Sequence, residues 1–221
     1  MKKLLFICFS TICLSSYSQT WKIYLGMYDL YNPRWDHAIQ TYNFTRPWLT
    51  EKQALLQFGA YSKVEYVFHA LSDSKWKKSL YLNYSFHSSI AENTNFINHL
   101  TYQTVTPGIG FTYAFSKKVN QLNFTVCAGL LLSGLKRTIN DTAIVLENEW
   151  STSFGIGVQT ETIVKYNFHL AKKVISPFIG LGFTPYLFQP DAEVMLNETK
   201  GVISKPNYIV VNGSAGIVLC F

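Results

Sequence analysis

The chain is short of charge. Only 14% of its 221 residues are Asp, Glu, Lys or Arg, where a soluble domain carries about 25%, so something other than water faces part of its surface. Cysteine is scarce too. Cys8, Cys13, Cys127 and Cys220 are the full set, none in a C-x-x-C, which excludes a disulfide framework and a paired-thiol motif. Beyond the N-terminal segment no run of 18 apolar residues occurs, which excludes a membrane-spanning helix. His37, His69, His87, His99 and His169 are scattered, with no H-x-x-x-H or H-E-x-x-H, so no metal site is read. The two glycine-rich stretches, Gly108–Thr112 and Gly180–Thr184, are not G-x-G-x-x-G between a strand and a helix, and no nucleotide or other cofactor is expected.

The N-terminus has the form of a secretory signal. Lys2 and Lys3 precede a short apolar run, Leu4–Leu14, and Ser16-Tyr17-Ser18 supplies small residues for cleavage. Residues 1–18 are therefore expected to be removed, leaving 19–221 as one domain. Losing Lys2 and Lys3 lowers the formal net charge from +6 to +4, too mild to argue for nucleic acid.

What is present is alternation. Eight stretches carry period 2: Trp21–Leu30, Gln53–Ala70, Leu80–His87, Thr101–Phe115, Gln121–Gly134, Ser151–Phe168, Val174–Tyr186 and Tyr208–Phe221. Successive side chains of a strand point to opposite faces. One face is apolar on every stretch, as in Leu25 and Met27, Leu80 and Leu82, or Leu130 and Leu132. The other is small or polar, as in Tyr24 and Gly26, Asn83 and Ser85, or Gly180 and Gly182. A soluble sandwich would bury the first set and wet the second, but the second holds too few charges for a wetted face. Several stretches also exceed the usual strand of ~5–6 residues. An all-β, eight-stranded, antiparallel, up-and-down transmembrane barrel accounts for both features, because its strands turn apolar side chains to lipid and polar ones to the lumen.

The linkers support this. Leu71–Ser79, Ser116–Asn120 and His169–Lys173 are short; Tyr31–Lys52, Ser88–Leu100, Leu135–Trp150 and Leu187–Asn207 are longer, and the two kinds alternate. Long extracellular loops and short periplasmic turns do so in outer-membrane barrels. The last stretch closes on Gly213-Ser-Ala-Gly-Ile-Val-Leu-Cys-Phe221, which resembles the C-terminal signature of bacterial outer-membrane proteins. Signal, eight stretches and ending together resemble the small OmpA/OmpX-type barrels. The resemblance implies a Gram-negative outer membrane, contact with its lipids and lipopolysaccharide, and recognition of the strand ending at Phe221 by the barrel assembly machinery.

Three groups of residues are candidates for function. Lys22, Lys63, Glu65, Glu161 and Lys165 fall on the inward parity; an eight-stranded barrel holds little beyond side chains, so these charges read as a lumen network, with a narrow channel or small-ligand carrier as the alternative. His87, Ser89 and Glu92 resemble the constellation of outer-membrane lipid A deacylases, in which a histidine activates a serine toward an acyl ester; a polar cluster at a strand end is the other reading. Trp35, Tyr42, Phe44, Arg46 and Trp48 lie in the first long linker. Trp35, Ala38, Ile39 and Tyr42 have helical spacing that Pro47 would end, and the aromatics with Arg46 suggest either an interfacial loop or a patch that binds a partner, glycan or lipopolysaccharide. The sequence reading is thus a non-enzymatic envelope or surface-interaction barrel, with a lipid-modifying enzyme as its rival.

Overall fold

The computed structural model describes residues 20–68, 75–115, 121–141, 149–170, 173–196 and 209–220. Its strands are β1 Thr20–Tyr31, β2 Phe58–Phe68, β3 Trp76–Asn93, β4 Phe96–Ala114, β5 Gln121–Asp141, β6 Glu149–Leu170, β7 Lys173–Phe188 and β8 Ile209–Cys220, with helices α1 Pro33–Thr45 and α2 Ala192–Met195. Each strand pairs antiparallel with the next, and β1 closes on β8. Among the described residues no helix is long and apolar enough to cross a membrane. The expected signal segment and the terminal Phe221 lie outside the described residues.

The register sets the barrel's dimensions. From Thr20 the paired residues run through Val67, Ser79, Gly110, Cys127, Glu161, Gly182 and Asn212, and return to β1 at Leu30, ten residues further along. With ~3.3 Å rise per residue and ~4.7 Å between strands, that stagger tilts the strands ~40° and gives a backbone radius of ~8 Å.

The pleat sorts the side chains as the alternation requires. Met27 is 62% exposed on the outside while its neighbours Tyr24 and Tyr28 are buried inside. Leu80, Leu82, Ile109, Leu130, Leu132, Leu181 and Ile217 continue the outward belt around the barrel. Near the end holding Thr20 and Cys220, aromatic rings pack tilted or edge to face on the outer wall: Trp21 on Tyr66, Tyr66 on Phe68, Trp76 on Tyr113, Tyr113 on Phe115, and Tyr166 on Phe168. A greasy band bounded by a girdle of rings is the surface that lipid requires of a barrel.

Several strand limits differ from those read in the sequence. Ser88–Leu100, expected as a long loop, is the end of a hairpin whose only break is Thr94-Asn95 between β3 and β4. β5 likewise continues to Asp141 and β6 starts at Glu149; residues 142–148 lie outside the described set. The extensions escaped detection because they stand above the belt, where both faces mix polar and apolar residues. Glu92 and Lys136 face outward there, whereas Ala91, Leu100 and Leu135 are buried inside. β2 begins at Phe58 rather than Gln53, and the freed stretch folds into the mouth.

Closure between β1 and β8 depends on Gly26 facing Gly216. A Cβ on Gly26 would strike the Ala215 carbonyl and the Gly216 Cα, which are backbone and cannot yield cheaply. Gly26→Val should therefore cost at least ~1–3 kcal/mol, read as loss of the heat-modifiable gel band of the closed barrel; an unchanged band would contradict this account of the seam.

Candidate functional site

The lower lumen is filled by two carboxylate clusters. The Glu65 carboxylate accepts from the Tyr24 hydroxyl at 2.5 Å and from Ser79 Oγ at 2.6 Å, with Lys22 at 3.7 Å and Lys165 at 3.8 Å. Lys165 donates to the same Tyr24 hydroxyl at 2.7 Å. One layer up, Glu161 accepts from Ser214 Oγ at 2.7 Å and from Tyr61 at 3.2 Å, and pairs with Lys63 at 3.7 Å. Lys63 also donates to Cys127 Sγ at 2.9 Å and lies over the Tyr81 ring at 4.3 Å. Buried charges persist only when paired and hydrogen-bonded, and every carboxylate oxygen here has a donor. Glycines make the room: a Cβ on Gly108 would enter the Tyr81 ring, and one on Gly110 would crowd Ser79 Oγ. Cys127 and Cys220 are both free.

Above these clusters Gln159 takes Thr106 Oγ1 at 2.8 Å and gives to the Tyr28 hydroxyl at 3.0 Å. An aromatic layer follows. Tyr28 stacks on Tyr61 at 5.8 Å, and His87 packs against Tyr28 at 5.5 Å and Tyr102 at 5.8 Å. Tyr102 and Tyr186 share a hydroxyl hydrogen bond.

The mouth is closed by α1. Asn32 caps it by accepting from the Trp35 N–H at 3.4 Å, and Pro33 occupies the first turn, where it sacrifices no helical bond. The spacing of Trp35, Ala38, Ile39 and Tyr42 puts all four on one face, and all four are buried in the barrel opening. A large apolar side chain buried this way contributes about 1.5–3 kcal/mol. Trp35 packs edge-on against Tyr102 at 4.7 Å and its Nε1 donates to the Pro190 carbonyl at 3.1 Å. Arg34 pairs with Asp191 at 3.6 Å. Burial raises the Asp36 carboxyl above its usual range, partly offset by a hydrogen bond from Gln57. Asp36 therefore holds a proton more tightly folded than unfolded, and this group favours the folded state more as pH falls.

A buried amide relay fastens the plug to the tall wall of β3, β4 and β5. Asn43 and Gln53 exchange two bonds, each 2.8 Å. Gln53 gives to Ser89 Oγ at 2.6 Å and takes from Asn98 at 2.8 Å. Arg137 gives to Asn98 at 2.7 Å and to the Met195 carbonyl at 2.5 Å, joining α2 to the same system. Glu51 pairs by its backbone with Glu92, covering the part of β3 that β2 does not reach.

The residues singled out in the sequence fall as follows. Lys22, Lys63, Glu65, Glu161 and Lys165 converge inside the barrel. The aromatic group of the first linker divides: Trp35 and Tyr42 turn inward, Arg46 lies over the Tyr42 ring at 4.1 Å, and Phe44 and Trp48 stay 87% and 49% exposed. His87, Ser89 and Glu92 are not brought together. Ser89 Oγ is bonded to Gln53 and the Ala54 carbonyl and not to His87, and the pleat carries Glu92 to the outer face. Gln53, Asn98 and Arg137 were missed because they sit in stretches read as loop or strand start. Carrying the inward parity of Ser133 and Leu135 two residues on would have reached Arg137.

No family model matches the chain, and no curated protein matches it. Among solved structures, Ail, the attachment invasion locus protein of Yersinia pestis, is similar at 11% identity. The alignment covers 93% of this chain and 100% of Ail, with a TM-score of 0.44 for Ail and 0.46 for its complex with the heparin analogue sucrose octasulfate. Neisserial surface protein A is similar at 10% identity over 91% of this chain and 95% of its own, with a TM-score of 0.40. The protein has the architecture of the small eight-stranded outer-membrane barrels: closed, antiparallel, up-and-down, and apolar on its outside. In this chain the buried face of α1 fills the mouth of the barrel.

Glu65→Ala leaves Lys22, Lys165, Tyr24 and Ser79 without their shared acceptor. Removing one partner from a buried ion pair costs about 3–5 kcal/mol, so detergent-solubilised Glu65→Ala should melt well below wild type, and an unchanged Tm would show that the network does not hold the barrel.

Proposed function

We propose that this protein is a sealed, non-enzymatic barrel of the Gram-negative outer membrane that acts through the surface at its plugged end. In this reading residues 1–18 are the cleaved export signal. The strand that ends at Phe221 is the one the barrel assembly machinery engages. Lipid and lipopolysaccharide surround the wall. The observation that carries the proposal is that the charged side chains of the lumen are paired with one another and α1 fills the opening. Among the described residues no continuous row of unpaired charges remains to pass an ion, and the eight-strand radius leaves little space beside them. What stays available at the plugged end is its outer surface, including Phe44, Trp48, Ile90 and Ile97, all exposed. Large apolar side chains held in water on a rigid scaffold are a recurrent mark of a contact surface.

Planar bilayers give the first test. Wild-type protein should show no unitary conductance steps, whereas a stable open level would favour the channel reading. Lipid chemistry gives the second: His87→Ala and Ser89→Ala should leave lipid A acylation unchanged by mass spectrometry, and a lost or gained acyl group tied to either residue would favour the enzyme. Proteoliposomes with the plugged end outward, screened on glycan and matrix-protein surfaces, should bind through Phe44 and Trp48. Replacing both by Ser should weaken that binding at least tenfold.

A further inference from the structure

A recess of about 350 Å³ lies on the outer wall across β4, β5 and β6. Its centre is Gly134, which pairs with Gln103 on one side and Phe154 on the other. Because Gly134 has no side chain, the row is notched there, and the nearest atoms to a Cβ at this point belong to the Phe154 ring at 3.9 Å. Phe154 is 76% exposed and forms one flank. The next outward row toward the barrel's middle is Val105, Leu132 and Ile156, all apolar and exposed. The next row toward the mouth is Thr101, Lys136 and Thr152, two hydroxyls flanking an exposed ammonium. Within one strand repeat on each side, the surface therefore passes from greasy to notched to cationic and hydrogen-bonding.

That sequence of rows matches an amphiphile seated lengthwise. An acyl chain packs on Val105, Leu132 and Ile156, the Gly134 notch takes the glycerol or sugar region, and an anionic head meets Lys136 and the threonines. The recess straddles the upper edge of the apolar belt, where head groups lie, so its occupant comes from the membrane and not from solution. An anionic head pairs with the exposed Lys136 ammonium, and a neutral head offers it no opposite charge. A phosphate supplies both the charge for Lys136 and an acceptor for Thr152, while Thr101 Oγ1 already donates to the Lys136 carbonyl at 3.4 Å.

We infer that this recess is a binding site for a phosphate-bearing, net anionic lipid of the leaflet at the plugged end. The inference rests on the membrane placement proposed above and names a partner for one patch of that wall. Substitutions at Gly134 and Lys136 touch neither the lumen network nor the plug.

Native mass spectrometry tests it, with the protein released from nanodiscs of equal phosphatidylglycerol and phosphatidylcholine. Wild type should retain phosphatidylglycerol at least tenfold over phosphatidylcholine. Lys136→Glu and the milder Lys136→Gln should bring the ratio toward one, and Gly134→Trp, which fills the notch, should remove retention of both lipids. Each variant is checked for the heat-modifiable band of the inserted barrel. Equal retention of both lipids by wild type, undiminished preference in the Lys136 variants, or a protein dimer in place of the lipid adduct would overturn the inference alone. Failure of the wild-type chain to insert would overturn the membrane placement and the inference with it.

Discussion

A backbone amide has no partner in hydrocarbon, and this constraint governs the rest of the molecule. A strand in lipid must find a neighbour on both sides, and a row of strands must end where it began. Here the eighth strand returns to the first with a stagger of ten residues between Thr20 and Leu30. Closure needs flat contact at the seam, which Gly26 and Gly216 supply, and it turns one side of every strand toward lipid. The aromatic pairs around Trp21, Trp76 and Tyr166 follow from that, because rings of mixed polarity are most favourable where the greasy band meets water.

The same closure determines the interior. A radius of ~8 Å admits side chains from opposite walls but little else. Polar groups that cannot reach water must then satisfy one another. The stagger places Ser79, Tyr24 and Lys165 around Glu65, and Ser214, Tyr61 and Lys63 around Glu161. These contacts join residues from different strands, so the network couples the walls to each other as well as filling the space between them. Toward the mouth the relay of Gln53, Ser89, Asn98 and Arg137 continues beside apolar positions. Outside is water, inside is α1, and the inner wall becomes apolar at Ala91, Leu100 and Leu135 where it receives Trp35, Ile39 and Tyr42.

The barrel itself was legible from the alternation, since a period of two is the direct image of a pleat between unlike surroundings. The inward parity of the five lumen charges was legible for the same reason. Which of them pair was not, because Lys63 and Glu161 meet only through the stagger, a property of the whole circuit. The helix was visible in the spacing of Trp35, Ala38, Ile39 and Tyr42, but not its direction. Aromatic residues beside Arg46 suit a membrane interface as well as a plug, and only the tall wall beside them decides. That wall was hidden in turn, because both faces mix polar and apolar residues where lipid gives way to water, and Ser88–Leu100 then reads as a loop. His87 and Ser89 share a face with each other but not with Glu92, a distinction that counting from residue 87 to 92 along a strand already contains.

The account stands on hydrocarbon, not protein, covering the outward belt. Spin labels placed singly along β3 and β5 of the reconstituted protein, including Leu80, Leu82, Leu130 and Leu132, measure this directly through collisions with oxygen, which concentrates in lipid, and with a water-soluble nickel chelate. The account expects high oxygen and low nickel accessibility at every outward position, falling and rising with period two as the label steps through the inward residues between. Outward positions shielded from both reagents would mean that protein covers them, and positions open to nickel would mean that water does; either result would contradict the membrane-spanning barrel.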